Sequence, residues 1–392
     1  MKFKIVTLGC KLNFAESSAL GKVLCNKGHV RAKAGEEADL VIVNTCSVTD
    51  TADHKDRQAI HRVKRENPHA RVIVTGCYAR LKPQEIAEMV EVDRVILKRE
   101  DIFTPAYSRD DRTRCFLKVQ DGCNYFCTYC TIPMARGRSR NPKIAFVVEQ
   151  AQKALQEGAK EIILTGVNIG DFGRSTAETF YDLLRALDQL TASEDYRIRI
   201  SSCEPNLLSD EIIEFVAHSK HFAPHFHIPL QSGSNEVLKI MHRHYTRELF
   251  AERIAHIKKL MPHAFIGVDC MVGVRGEKKE YFDDYVAFVE SLDVSQLHVF
   301  TYSERANTRM LTMDLEIIPK AERERRSKIL HAISNRKLKA FYQSQQGREA
   351  VVLWESKNDK GMMHGFTENY VKVSCPYDKA KINTFERITV SG

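Results

Sequence analysis

Three cysteines on one short loop give this sequence its clearest chemical feature. Cys123, Cys127 and Cys130 are spaced C-x3-C-x2-C in a run that begins at Asp121-Gly122. Three thiolates can hold three irons of a 4Fe-4S cube and leave the fourth iron open, as radical chemistry on S-adenosylmethionine (SAM) requires. Three close cysteines can also bind zinc or occur together by chance. The loop alone leaves all three interpretations open.

A second set of cysteines lies in the first hundred residues. Cys10, Cys46 and Cys77 each follow a short apolar run of the kind found in buried parallel strands. The runs span residues 4–8, 40–43 and 72–74, and helical patterns separate them. A βαβαβ order predicts a parallel sheet, whose strands end at one edge where ligands bind. We therefore expect the three thiols to converge on a second metal site, although a buried cysteine is more commonly a packing residue.

Length and composition narrow the class of protein. The chain has 392 residues, which allows two or three domains, and its 43% hydrophobic and 28% charged residues are typical of a soluble globular protein. No apolar run is long enough to cross a membrane, and no signal peptide precedes the first strand. Eleven cysteines without an export signal indicate metal or redox use and a cytoplasmic location. The net charge of +8 is compatible with an anionic partner or with a solvated surface.

A second alternating series follows a polar linker at residues 101–113. Six strand patterns predict an incomplete parallel (βα)6 barrel of the TIM type over residues 114–341. The strands are expected at residues 115–119, 161–164, 197–200, 226–230, 265–271 and 297–300. Polar or glycine-rich segments follow each strand, and such segments form the site in barrels of this kind. The three-cysteine loop is the first of them, so it is expected at the barrel mouth.

The last part of the chain changes character. Residues 319–340 predict one amphipathic helix that closes the barrel, with a basic face that could also meet an anionic polymer. Residues 345–392 predict a small all-β module, with strands at 349–353, 370–374 and 387–390 and turns at Gly361, Gly365 and Asn369. Such a module is either a nucleic-acid platform or a structural cap. The predicted fold is therefore α/β, with an N-terminal parallel-sheet domain at 1–100, a partial barrel and a C-terminal β module.

Several motifs together resemble the radical-SAM methylthiotransferases over essentially the whole length. The matching stretches are Thr7-Leu8-Gly9-Cys10-Lys11-Leu12-Asn13, Asn44-Thr45-Cys46, Thr75-Gly76-Cys77, the eleven residues from Cys130 to Arg140, Leu164-Thr165-Gly166-Val167-Asn168-Ile169-Gly170, His227-Ile228-Pro229-Leu230-Gln231-Ser232-Gly233-Ser234 and Gly365-Phe366-Thr367-Glu368-Asn369-Tyr370. The last of these looks like the core of a TRAM domain, a small β-barrel with which this family contacts RNA.

The resemblance implies two 4Fe-4S clusters with SAM as cofactor. Cys123, Cys127 and Cys130 would hold the cluster that binds SAM, and the other three cysteines a cluster that carries the sulfur to be inserted. By the same resemblance six residues would contact SAM: Tyr129, Gly166, Asn168, Ser202, Glu204 and Gln231. Each of these six could equally be a turn or packing residue. The family chemistry also needs a reductant such as flavodoxin or ferredoxin, and a sulfur donor.

The Leu-Gly-Cys-Lys and Thr-Gly-Val-Asn-Ile-Gly forms most resemble the branch that modifies threonylcarbamoyladenosine in the anticodon stem-loop of tRNA. Its carboxylate would need a cation, for which Arg136, Arg138 and Arg275 are the candidates, with the first two preferred. Arg275 replaces a usual proline, Ser303-Glu304-Arg305 replaces a usual Ser-Pro-Arg, and the TRAM region looks short. The alternatives are a sister enzyme acting on isopentenyladenosine or on a ribosomal-protein aspartate, or a non-enzymatic iron–sulfur electron carrier or iron-sensing RNA-binding protein.

Overall fold

The computed structural model describes residues 1–33, 35–97, 106–108, 113–192 and 195–391. Most of the predicted linker at 101–113 lies outside these residues. In its described part, Tyr107 pairs antiparallel with Leu117. In the described part of the chain no helix is long and apolar enough to cross a membrane.

The first unit is a five-stranded sheet in which every pairing is parallel, as the βαβαβ pattern predicts. Its strand order is β2-β1-β3-β4-β5. The elements are β1 (Lys2–Thr7), α1 (Lys11–Asn26), β2 (Val30–Arg31), β3 (Leu40–Thr45), α2 (Asp50–Glu66), β4 (Arg71–Gly76), α3 (Cys77–Leu81), α4 (Pro83–Ala87) and β5 (Arg94–Val95). All six residues of β3 are buried, as expected for a strand covered on both faces. The two edge strands, β2 and β5, have only two residues each and carry no sequence pattern that predicts them.

The second unit contains all six predicted βα units. Its strands are β6 (Cys115–Lys118), β7 (Glu161–Thr165), β8 (Arg197–Ile200), β9 (His225–Gln231), β10 (Phe265–Val272) and β11 (Gln296–Thr301). They form two parallel three-stranded sheets, β6-β7-β8 and β11-β10-β9. Isolated parallel bridges from Ser202 to His227 and from Ile198 to Phe222 join the two sheets beside β8 and β9. The helices are α5 (Ile132–Arg136), α6 (Ile144–Gln156), α7 (Phe180–Asp188), α8 (Asp210–His218), α9 (Asn235–Ile240), α10 (Arg247–Leu260) and α11 (Lys279–Ser291).

Side chains in these strands alternate between two environments. One set, which includes Leu117, Ile162 and Ile198, packs in the large core beneath the helices. The alternate positions face the other side and are unusually polar, because a strand has a period of two. There Arg199 donates to Glu161 on the neighbouring strand over 3.0 Å. His227 and Asp269 pair at 2.8 Å across β9 and β10. The inner face of the strands is thus lined with charged groups that pair with each other.

After β11 the chain forms a long helix and then an antiparallel sheet. Helix α12 (Lys320–Ser344) precedes the strands β12 (Glu349–Trp354), β13 (Met362–Thr367), β14 (Lys372–Pro376) and β15 (Phe385–Thr389), in the order β14-β13-β12-β15. The prediction that Gly365 forms a turn was wrong, since this residue lies inside β13. A Cβ at that position would lie 2.7 Å from the carbonyl oxygen of Leu353 and 2.9 Å from the Trp354 ring. The glycine therefore allows close strand packing.

The sheet docks on the strands of the second unit through two buried arginines. Arg197 donates to the carbonyl oxygens of Val351 and Phe366 over 3.0 and 3.1 Å. Arg199 donates to the carbonyl oxygen of Glu368 over 3.0 Å. Both guanidinium groups also bind Glu161, which is completely buried. These contacts lie at β7 and β8, so the module closes one end of the strand assembly.

Helix α12 packs against β11, as expected of a helix that closes the second unit, and the Ser334 hydroxyl meets both the N–H and the carbonyl of Leu297. Several cations of its basic face already have partners within the protein. Arg326 pairs with buried Glu277 at 2.8 Å, Arg325 pairs with Glu322, and Lys337 donates to the carbonyl oxygen of Leu292. Fewer cations are therefore available to a polyanion than the sequence pattern suggests.

Candidate functional site

Cys10, Cys46 and Cys77 lie together where β1, β3 and β4 end. A side chain at Gly9 would place its Cβ 2.6 Å from the Cβ of Cys46, so the first two loops touch. Gly76 has φ +103°, and a Cβ there would lie 2.4 Å from the carbonyl oxygen of Thr45. Both glycines permit the close approach of the loops. Burial, followed by the charges of the other two thiols, raises the pKa of Cys46 to about 12.

The other three thiols lie on the loop between β6 and α5. The backbone N–H of Tyr125 donates to Cys123 Sγ and that of Ile132 to Cys130 Sγ, each over 3.4 Å. Burial raises the pKa of Cys123 to about 11, and burial together with Cys127 raises that of Cys130 to about 12. N–H donors to sulfur are the outer contacts that tune cysteine-ligated iron–sulfur clusters.

The chemistry of the two thiol sets fits iron–sulfur clusters better than a single metal ion. All eleven cysteines, the six included, are free thiols. Among the described residues, no three His, Cys, Asp or Glu side chains converge closely enough to hold one ion. In a 4Fe-4S cube each thiolate binds a different iron, so the sulfurs need not meet at one point. Bound iron would offset the burial and the mutual repulsion that raise these pKa values, because its positive charge stabilises the thiolates.

A buried arginine that sequence reasoning overlooked connects the three-cysteine loop to the end of β8. Arg243 Nη1 donates to Cys127 Sγ over 3.1 Å and lies 3.4 Å from the hydroxyl of Tyr129. Its Nη2 binds Glu204. Burial raises the pKa of Glu204, and this effect outweighs the opposing effect of the arginine. A single arginine after a helix carries no pattern that would reveal this role.

Among the other residues predicted to contact SAM, two have buried polar atoms without a partner in the described part of the chain, and two are explained by packing or strand pairing. Asn168 is 3% exposed, and neither its Oδ1 nor its Nδ2 has a hydrogen-bond partner in the described part of the chain. Gln231 has φ +62°, a conformation that costs energy for a residue with a side chain, and its buried Oε1 is also unpartnered. Gly166 is explained by packing, since a Cβ would lie 2.9 Å from Gln120 atoms. Ser202 lies in the bridge between β8 and β9.

The three arginines predicted to bind a carboxylate have different environments. Arg136 has a side chain only 1% exposed and already binds Asp121, Glu16 and Asn13. Arg275 pairs with Glu304 at 3.1 Å. Arg138 is exposed, and its guanidinium lies 5.5 Å from the ring centre of Phe126, which is itself 46% exposed. Of the three, Arg138 is the one that remains accessible to an incoming anion.

Comparison with known proteins gives two family matches within this chain. Residues 2–97 match the family described as "Uncharacterized protein family UPF0004", and residues 117–289 match the Radical SAM superfamily. A "Threonylcarbamoyladenosine tRNA methylthiotransferase MtaB" from Bacillus subtilis (strain 168) is 38% identical, with 94% of this chain and 88% of the relative aligned. The protein of the same name from Aquifex aeolicus (strain VF5) is 34% identical, over 95% and 96%. The solved structure of the radical S-adenosylmethionine methyltransferase TsrM from Kitasatospora setae shares the fold at 15% identity, with a TM-score of 0.53 over 79% of this chain and 76% of that one.

Proposed function

Because the chain belongs to the threonylcarbamoyladenosine tRNA methylthiotransferases of the radical SAM superfamily, we propose that it places a methylthio group on C2 of N6-threonylcarbamoyladenosine beside the anticodon of tRNA. The observation that carries the proposal is the pair of cysteine loops facing each other between the first two units. Ser47, next to Cys46, accepts through its carbonyl oxygen a 3.4 Å hydrogen bond from the hydroxyl of Thr131, next to Cys130. Two thiol sets held this close suit a reaction that joins a carbon radical to sulfur.

Two 4Fe-4S clusters are proposed, one on Cys123, Cys127 and Cys130 and one on the N-terminal set. When bound, the first cluster and SAM would supply the carbon radical that activates the C2–H bond, and the second would supply the sulfur that is methylated and inserted. The protein positions the reactants and keeps water away. Burial of Cys127, at 8% exposure, and of Cys46, at 7%, supports this role.

The pair formed by Glu204 and Arg243 is proposed to receive the amino-acid end of SAM. A carboxylate beside a guanidinium is complementary to an α-ammonium and an α-carboxylate, and both groups lie next to Cys127. The unpartnered amide of Asn168 and the unpartnered Oε1 of Gln231 would complete the polar contacts, because buried polar groups without partners are costly. Tyr129, whose ring packs among Val237, Met241 and other apolar residues, is proposed to line the adenine. Gly166 and Ser202 are proposed only as neighbours of this pocket.

Arg138 is proposed as the cation that pairs with the threonyl carboxylate. It is exposed and lies over Phe126, next to Cys127, so an arriving base and its acidic substituent could meet an aromatic face and a guanidinium together. The earlier preference for Arg136 has no comparable support, since its donors are occupied inside the protein. Arg275 would first have to leave Glu304.

The domain limits are proposed as residues 1–100, 114–341 and 345–392, with a linker at 101–113 between the first two. The six strands of the second unit are interpreted as one partial barrel, because the bridge between Ser202 and His227 continues one sheet into the other. The four-stranded antiparallel sheet is interpreted as a TRAM-like module that contacts tRNA. A reductant such as flavodoxin or ferredoxin and a sulfur donor are the further partners that this chemistry needs.

The decisive experiment combines iron analysis with mass spectrometry of nucleosides. Reconstituted protein should bind about eight irons, and alanine at either cysteine set should leave about half of them. With SAM, a reductant and a sulfur source, it should methylthiolate tRNA carrying threonylcarbamoyladenosine and ignore tRNA carrying isopentenyladenosine. Product only on the second tRNA or on a ribosomal protein would refute the branch. Saturation near four irons would refute the second cluster, and iron without SAM cleavage would favour an electron carrier.

A further inference from the structure

Two buried arginines of the second unit, Arg136 and Arg305, hold the loops of the two cysteine sets against each other. We propose that both are positioning residues that fix the distance between the two cluster sites. The proposal rests on the two-cluster function given above. It concerns residues that are not among the six cysteines assigned to the clusters.

Arg136 connects the two cysteine loops by binding one side chain near each of them. Its Nη2 donates to Asn13 Oδ1, and its Nη1 donates to Asp121 Oδ1 over 3.0 Å. Asn13 lies three residues after Cys10, and its Nδ2 donates to the carbonyl oxygens of Leu8 and Thr45 at 2.8 and 3.0 Å. Asp121 lies two residues before Cys123. One guanidinium thus joins the ends of β1 and β3 to the start of the three-cysteine loop.

Charged neighbours lock Arg136 in place. Glu16 of α1 accepts from it over 3.2 Å and also binds Lys118 of β6 over 2.9 Å. Lys118 in turn binds Asp121 over 2.9 Å. Two cations and two carboxylates therefore alternate across the boundary between the first two units. Each member of this buried network has two oppositely charged partners, so displacing one member breaks two ion pairs at once.

Arg305 acts from the segment after β11 on the segment after Cys46. Its Nη2 donates to Ser47 Oγ over 2.6 Å and to Asp53 Oδ2 over 2.9 Å, and its Nη1 donates to Asp50 Oδ1 over 2.6 Å. The residue is 5% exposed. Ser47 also meets Thr131, the residue after Cys130. The second arginine thus holds Cys46 beside Cys130, at contacts separate from those of Arg136.

The fork of a guanidinium is what makes these contacts possible. Each arginine reaches three acceptors on the first unit or at the boundary, and the single ammonium of a lysine cannot match several acceptors in one plane. A transfer between two bound groups depends steeply on their separation, and a misplacement of about 1 Å can cost about 100-fold in rate. Loosening either arginine should therefore damage the transfer while leaving each thiol set complete.

The test compares Arg305→Lys and Arg136→Lys with wild type and with Arg326→Lys. The last variant removes an equally buried guanidinium, 3% exposed and paired with Glu277, that lies wholly within the second unit. Measurements are iron content, the 5′-deoxyadenosine formed, the methylthio product per 5′-deoxyadenosine, and the distance between the clusters by pulsed EPR. The first two variants should keep the iron and cleave SAM within about twofold of wild type. Their product ratio should fall at least tenfold, with a broader distance distribution, as expected for a lost positional constraint.

Unchanged product ratio and unchanged distance distribution in both variants would overturn the proposal, as would an equal loss in Arg326→Lys. Should either variant fail to hold its iron, Asp50→Asn provides the milder change, since that side chain is 70% exposed and contributes one arm of the Arg305 contact. It should broaden the distance distribution, and a distribution identical to wild type would also reject the role of Arg305. A wild-type protein that binds only one cluster refutes the proposed function before the variants are compared.

Discussion

Replacing Glu161 by glutamine should destabilise the protein far more than a single neutralised charge normally does. The carboxylate is completely buried between Arg197 and Arg199, whose side chains are 7% and 1% exposed. Removing the shared anion leaves two buried guanidinium groups without a counter-ion, and breaking such a pair costs about 3–5 kcal/mol. For a domain of about 200 residues each kcal/mol lowers the melting temperature by about 2–4 °C, so the expected loss is about 6–20 °C.

The dependence on pH gives this prediction a second measurable consequence. Burial alone would raise the pKa of Glu161, but the two arginines outweigh it and hold the pKa well below its usual value. A lowered pKa means that the stabilisation is complete above the ordinary glutamate value of about 4.3 and is lost only as the pH falls towards the folded-state value. The difference in unfolding free energy between wild type and variant should therefore stay constant from about pH 8 to about pH 5.

Thermal and denaturant unfolding followed by circular dichroism would measure both effects. The matched control is Glu290→Gln, because Glu290 pairs with Arg336 at the surface, where its side chain is 45% exposed. An exposed pair of this kind is worth about 0–1 kcal/mol. A Glu161 variant that melts within 2 °C of the control would show that the arginines are satisfied by the module carbonyls alone.

Three further outcomes are expected. Gly76→Ala should lower the iron content to about half, measured by iron analysis, because its Cβ would displace Thr45 beside Cys77 while the other thiol set stays whole. Asn168→Ala should weaken SAM binding by about 10- to 100-fold in calorimetry, the range for losing one or two buried hydrogen bonds, and unchanged affinity would remove this residue from the pocket. Arg138→Gln should raise the KM for tRNA carrying threonylcarbamoyladenosine by about tenfold in steady-state kinetics without changing SAM cleavage in the absence of tRNA. A KM equal to that of wild type would mean that another cation binds the threonyl carboxylate.

The sequence predicted the buried parallel strands well, because such strands leave continuous apolar runs. The run at residues 197–200 coincides with β8, and the run at 40–43 lies within β3. Positions of side chains that meet across units were not predictable, since pairing between residues more than a hundred positions apart leaves no periodic pattern. Arg136 shows this clearly. Its proximity to the cysteine loop indicated a substrate contact, whereas the structure surrounds it with Asp121, Glu16 and Asn13.

The C-terminal β-module is attached to the rest of the protein through buried contacts, and these contacts limit how the module can be removed or replaced. Phe265 of β10 packs with Phe341, Val371 and Val390 in one apolar cluster, and the arginines of β8 end on the module backbone. Cutting the chain after Ala340 would expose that cluster and strip the arginines of acceptors, so reduced tRNA binding in such a fragment could reflect misfolding. A chimera in which the module of a relative replaces this one should keep the hydrogen bonds from the two arginines to the module carbonyls, because backbone acceptors do not depend on side-chain identity. If the module contacts tRNA as proposed, the residues on its outer face can diverge between relatives while the attachment stays the same.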